Sequence, residues 1–321
     1  MVRVTDGAPT AAKRRPALRL LLQWLIPVAI LAAFIATGQL GQAIDALRDV
    51  SLIWAIPLVV AGVLLPISHA WRWCFLLQRV GECMPVLASA RITALASLLN
   101  YAAPGFLGAP AKAVFAREGN DIPISRSLPT LVVEQILDAL MLAIVGALAL
   151  VLIGPVVLDA VPASPSIQQV IWFVLASVVV LLIAAAAWVI ARRFLPGFVS
   201  AVSSATRALL ESRLHRTPIA ALTVTRWTLD MLAVAIASIA VGLRLSLVEI
   251  LLLANISLLI GLVAPVPGGL GVREAVMAGI AGVIGISIPA VLALSVLHRA
   301  GLAIGLPIVL AGARLREWGA R

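Results

Sequence analysis

Residues 264–275 read APVPGGLGVREA, in the middle of an apolar stretch that runs from about 246 to 286. Proline removes a backbone donor and glycine opens left-handed φ, so a helix cannot run through Pro265, Pro267, Gly268, Gly269 and Gly271. A second stretch, about 86–116, is broken the same way by PGFLGAP at 104–110, with Pro104, Gly105 and Gly108. Non-helical backbone at membrane depth persists only where protein or a wet cavity surrounds it. Two such breaks therefore predict two re-entrant hairpins of half-helices, not two crossings.

Outward from the breaks, the chain is apolar almost throughout. A bilayer crossing needs about 20 mainly apolar residues, and six segments supply them, at about 18–37, 52–71, 128–153, 169–191, 217–242 and 289–312. Of 321 residues, 62% are hydrophobic and 12% charged, with a mean hydropathy of +1.12. That excess cannot be hidden in one aqueous core, which excludes a soluble enzyme, a disordered chain and a disulfide scaffold. The expected fold is an all-α integral membrane protein with six full transmembrane helices plus two hairpins. The apolar run Leu18–Ala36 is longer than the core of a signal peptide and is expected to be an uncleaved first span.

The net charge of +10 lies between the spans, the signature of membrane orientation and not of nucleic-acid binding. With both breaks as hairpins and both termini cytoplasmic, only Arg48 and Arg244 of the 24 Lys and Arg fall outside. The location expected is thus a cytoplasmic (inner) membrane. Cys74 and Cys83 fall near a cytoplasmic loop, and no Cys/His cluster has ligand spacing, so neither a metal nor a cofactor is expected.

This layout contains a repeat. Pro104-Gly-Phe-Leu-Gly108 and Pro267-Gly-Gly-Leu-Gly271 are separated by about half the chain. An odd number of crossings in the first half turns the second upside down. The single polytopic domain 1–321 thus divides into inverted halves, about 1–153 and 154–321, joined through an amphipathic cytoplasmic connection at 192–216. Paired broken helices in inverted repeats mark transporters, with the substrate between the breaks.

Charges at membrane depth cost about 2.5–3.5 kcal/mol each on insertion scales and call for a partner or a role. Glu134 and Asp138 share a helix face, as do Arg226 and Asp230, which could neutralise each other. Lys112 follows the first break and could bind a ligand or snorkel to the interface. Arg273 and Glu274 open the half-helix after the second break, and His298-Arg299 sit in the last span. A cation is disfavoured in a first helical turn, so Arg273 points to an anion, either a lipid phosphate or Glu134 or Asp138. Helix starts after Gly108 and Gly271 would add free N–H groups. Trp71-Arg72-Trp73 has the composition of an interfacial anchor.

Asn100-Tyr-Ala-Ala-Pro104-Gly105-Phe-Leu-Gly108, then LVVEQILDAL around Glu134 and Asp138, then APVPGGLGVREA, occur in that order. In these motifs the chain resembles the membrane domain of the lysylphosphatidylglycerol synthase/flippase family and its stand-alone flippase-like relatives. Phe106, Ala109 and Gln135 stand where that family commonly carries charged residues. The resemblance implies translocation of a lipid with a charged or sugar-linked head group, an anionic phospholipid or a polyprenyl-linked lipid. With the chain ending at Arg321, aminoacyl transfer is not expected. The substrate-binding set is then Asn100, Pro104, Gly105, Gly108, Lys112, Glu134, Asp138, Pro267, Gly268, Gly269, Gly271, Arg273 and Glu274, with Arg226, Asp230, His298 and Arg299 behind it. Other readings are a non-transporting partner of a lipid-modifying enzyme or glycosyltransferase and a small-solute transporter; as partners, membrane lipids are expected, with a homo-oligomer or a partner enzyme as further candidates.

Overall fold

The computed structural model describes residues 14–102, 108–160, 213–264 and 266–319, with short pieces between 197 and 207. Among them the chain is α-helical, without strands. Its helices are α1 (Arg14–Ala36), α2 (Gln39–Arg48), α3 (Ala55–Arg79), α4 (Val86–Ala102), α5 (Gly108–Asn120), α6 (Ile124–Ala160), α7 (Arg213–Ala240), α8 (Leu247–Val263), α9 (Val272–Val283) and α10 (Ile288–Gly319).

Four expected spans appear as helices long and apolar enough to cross a bilayer, at Ala55–Arg79, Ile124–Ile153, Thr217–Ala240 and Ile288–Arg314. The first expected span is α1, and the chain then turns by 84° at Gly38 into α2. The expected span at 169–191, most of the connection at 192–216, and Pro104, Gly105 and Pro265 lie outside the described residues. At about 1.5 Å per residue, the 13 residues of α5 and the 12 of α9 reach roughly 20 Å, too short to cross alone.

The two halves share one punctuation. The connection from α3 to α4 turns at Gly81 (φ 76°), and that from α7 to α8 at Gly242 (φ 77°). The turn into α6 uses Asp121 (φ 56°), and the turn into α10 uses Gly285 (φ 74°). Helices α4 and α8 have 17 residues each. The series α3–α4–α5–α6 thus recurs as α7–α8–α9–α10, element for element. Local chemistry sets the boundaries: Ser246 Oγ accepts from Glu249 N (3.3 Å), and Ser246 N donates to Glu249 Oε2 (2.6 Å), which starts α8 with a capping box.

Helices α3, α7 and α10 pack together at the centre, and α6 packs against α8. The α3–α10 crossing is so close that a Cβ at Gly62 would lie 2.6 Å from the Gly301 carbonyl oxygen, and one at Gly305 would run into the Gly62 backbone. Gly301 and Gly305 are a small-residue pair four apart, the spacing that lets two membrane helices touch at the backbone.

Candidate functional site

Two buried polar clusters are built on the central helices and their neighbours. The first is built on α6, which presents Glu134 and Asp138 inward. The Arg72 guanidinium, fully buried on α3, grips Asp138 through two parallel bonds, Nη1 to Oδ1 at 2.7 Å and Nη2 to Oδ2 at 2.9 Å. Two-pronged contacts of this kind are the strongest available to a carboxylate. Trp227 Nε1 also donates to Asp138 Oδ1 (3.0 Å), and Arg72 Nη1 donates to Thr223 Oγ1 (3.2 Å). Glu134 receives Lys112 Nζ at 3.0 Å, His69 Nε2 lies at 3.1 Å, and Arg72 Nη2 at 3.4 Å. The Lys112 ammonium stands 4.3 Å from the centre of the Trp73 ring, a cation–π contact that helps a buried cation stay charged.

The second cluster surrounds the second break. Gly268 (φ 54°), Gly269 (φ 65°) and Gly271 (φ 75°) all take left-handed backbone, as the sequence requires. Arg299 holds this loop, donating from Nη1 to the Gly268 carbonyl (2.9 Å), while its Nε lies 2.8 Å from Glu274 Oε1. Glu274 accepts from Ser295 Oγ (2.9 Å) and, through Oε2, from Gly271 N (2.8 Å). Arg273 is 6% exposed; its Nη2 lies 3.3 Å from His298 Nδ1, and no carboxylate stands at ion-pair distance among the described residues. Fully buried His298 places Nε2 3.5 Å from Asp230 Oδ1.

The end of α4 meets this loop. A side chain at Gly268 would lie 3.3 Å from the Asn100 carbonyl oxygen and 3.7 Å from Tyr101 Cα, at the end of α4. Gly108, the first residue of α5, sits so close to the Asn100 side chain that a Cβ there would have to displace the Asn100 amide. Between the clusters lies a cavity of about 130 Å³, lined by His69, Ser97, Tyr101, Arg226 and Asp230 among apolar residues of α3 and α10.

Several expectations change. Arg226 and Asp230 do not pair along α7: Arg226 Nη1 lies 3.6 Å from Asp138 and stacks on Trp227 (4.0 Å), while Asp230 faces His298. Lys112 does not snorkel, because Glu134 holds it inside. Arg273 pairs with neither Glu134 nor Asp138, since Arg72 and Lys112 already hold those acids. The N-cap amide of α9 is not free for an anion, because the Glu274 carboxylate takes it. Trp71-Arg72-Trp73 is not an interfacial anchor: Trp71 is half exposed, but Arg72 and Trp73 are fully buried. Sequence reasoning missed Arg72 and His69. With Ser68 they form a polar stripe on one face of α3, and that stripe is the signal that marks them.

Residues 23–312 match the family described as Lysylphosphatidylglycerol synthase TM region. A search of curated proteins finds no match to the chain.

Proposed function

The chain belongs to the lysylphosphatidylglycerol synthase TM-region family, and from that premise we propose that it is a flippase-like translocator of a lipid or lipid-linked head group across the cytoplasmic membrane. In this reading it is not an enzyme. Both termini are cytoplasmic, six full helices cross, and α4–α5 and α8–α9 are hairpins entering from opposite sides. The matched series α3–α6 and α7–α10, and half-helices too short to cross alone, support that topology. The lipid tails stay in the bilayer while the head group passes between the hairpins.

One observation carries the proposal. Buried Arg273 beside the second break is a permanent cation with no carboxylate at ion-pair distance among the described residues. Arg72, Lys112, Arg226 and Arg299 each have an acid close by. A buried guanidinium without its own acid costs several kcal/mol, and an anionic head-group phosphate would offset that cost.

Reconstitution into liposomes with fluorescent phospholipids and polyprenyl-linked lipids tests this directly. The wild type should move an anionic lipid faster than protein-free vesicles do; no acceleration for any lipid rejects translocation. Arg273→Gln strands no carboxylate and should stay folded. It should slow translocation by about tenfold or more, since a charge-assisted hydrogen bond is worth about 1.5–3 kcal/mol. It should also lose the thermal stabilisation that added anionic lipid gives the wild type. A folded variant that flips at the wild-type rate removes Arg273 from the site.

The topology has its own test in a background lacking Cys74 and Cys83. Single cysteines replacing Gly41, which is open on α2, should react with an impermeant thiol reagent from outside. Cysteines replacing exposed Gly119 or Ser204 should not. Labelling of position 119 from outside makes α4–α5 a crossing and removes the inverted repeat.

A further inference from the structure

The repeat register reveals a correspondence hidden from residue-by-residue comparison. The shift that carries Gly81 onto Gly242, and α4 onto α8, also carries His69 onto Asp230. The shift that carries Asp121 onto Gly285, and the start of α6 onto that of α10, carries Glu134 onto His298. In the first half an imidazole on α3 faces a carboxylate on α6, Nε2 to Oε1 at 3.1 Å. In the second half a carboxylate on α7 faces an imidazole on α10, Oδ1 to Nε2 at 3.5 Å. The pair is kept at equivalent positions with its partners exchanged.

We propose that these two imidazole–carboxylate pairs are proton-binding sites, one in each half, and that the lipid movement proposed above is coupled to protons through them. The inference rests on that reading of the function. Three observations support it. The facing atoms are close but not locked: His69 Nε2, Glu134 Oε1 and His298 Nε2 are buried without a well-directed hydrogen bond, as is the second oxygen of Asp230. Next, His69 and Asp230, one member of each pair, line the same polar cavity. The His69 side chain is 19% exposed and His298 not at all, so the two sites differ in burial although both reach that cavity through one member.

The third observation supplies the coupling. Arg273 can only donate, so His298 Nδ1 accepts from it and the ring proton sits on Nε2, facing Asp230. A proton taken from water onto Nδ1 removes that acceptor and puts a like charge against Arg273. The imidazolium N–H and the guanidinium are then two donors that have lost their mutual contact, and a phosphate monoanion supplies the acceptor both lack. Proton and head group bind together; both leave on the other side, the proton to water. The charges around each site are mixed. Asp230 of α7, Arg273 of α9 and Arg299 of α10 face His298; Glu134 of α6, Lys112 of α5 and Arg226 of α7 act on His69, with Arg72 one turn along its own helix.

Two measurements decide the matter. Proteoliposomes with fluorescent phosphatidylglycerol receive a gradient of one pH unit, the membrane potential being clamped with potassium and valinomycin, and leaflet occupancy is read by dithionite quenching. At one proton per lipid the wild type should build about a tenfold asymmetry toward the alkaline leaflet, beyond that in protein-free vesicles. Lipid movement that ends evenly distributed overturns the coupling and leaves translocation standing. In parallel, histidine nitrogen NMR of the full chain in nanodiscs, assigned with His69→Gln and His298→Gln, should show both imidazoles gaining a proton as the pH is lowered from about 9 to about 4. If neither gains one, the proton sites are refuted whatever the lipid does. Titrating histidines without any lipid movement reject translocation and the coupling built on it.

Discussion

Arg72→Gln should leave little folded protein, although sequence alone gives Arg72 no special weight. Glutamine cannot span both Asp138 oxygens and carries no charge, so a buried carboxylate loses its main counter-ion and Glu134 loses part of its own. Breaking a buried pair from one side costs about 3–5 kcal/mol, a large share of the 5–15 kcal/mol that holds a typical domain together. Arg72→Lys should recover only part of the loss, since an ammonium cannot make the two parallel bonds. The double variant Arg72→Leu/Asp138→Leu should be more stable than Arg72→Gln, because the buried Asp138 carboxylate leaves with its counter-ion and the cation it also faced, Arg226, is partly exposed. Thermal midpoints of detergent-solubilised protein would rank the three, and a wild-type midpoint for Arg72→Gln would mean that Arg72 is not the counter-ion that holds α3 to α6.

An equally large loss is expected from Gly305→Leu. A Cβ alone collides with the Gly62 backbone, and neither helix can yield without separating from the other along its length. Overpacking commonly costs about 1–3 kcal/mol where side chains can shift. Backbone against backbone cannot shift, which places this substitution at about 3 kcal/mol or above. Gly312→Leu, two turns further along α10, is the matched control, since nothing lies within 4 Å of a Cβ there. Size-exclusion profiles should show Gly305→Leu aggregated and Gly312→Leu monodisperse. Similar profiles for both would mean that α3 and α10 do not touch at the backbone.

The fold was legible because its punctuation is chemical. Gly268, Gly269 and Gly271 have φ values that other residues adopt at a cost, and the long apolar runs can only be helices. The members of the site were legible as charges that do not belong at membrane depth, and their partners were not. Arg72 was hidden by two flanking tryptophans that suggest an interface, and periodicity alone does not say that α3 turns Trp71 outward and Trp73 inward. Arg226 and Asp230 looked like a pair because helical spacing is visible in one dimension, whereas their partners on α6 and α10 are tertiary. The exchanged histidine–carboxylate pairs were the least legible, since aligning the halves sets His69 against an aspartate and Glu134 against a histidine. What is preserved there is a contact, not a residue.

The Arg72–Asp138 grip also bears on how the chain enters the membrane during synthesis. Of the four long apolar helices α3 is the least hydrophobic, with mean hydropathy 1.4, and it carries its buried arginine well before α6, at 2.8, has been made. A lone arginine at the centre of an inserting helix costs about 2.5–3.5 kcal/mol and less toward the helix end, and Arg72 lies in the last third of α3. Its acid arrives only with α6. On that balance α3 gains its full hold on the membrane only when α6 brings Asp138 to it, so its insertion is completed by a helix made later.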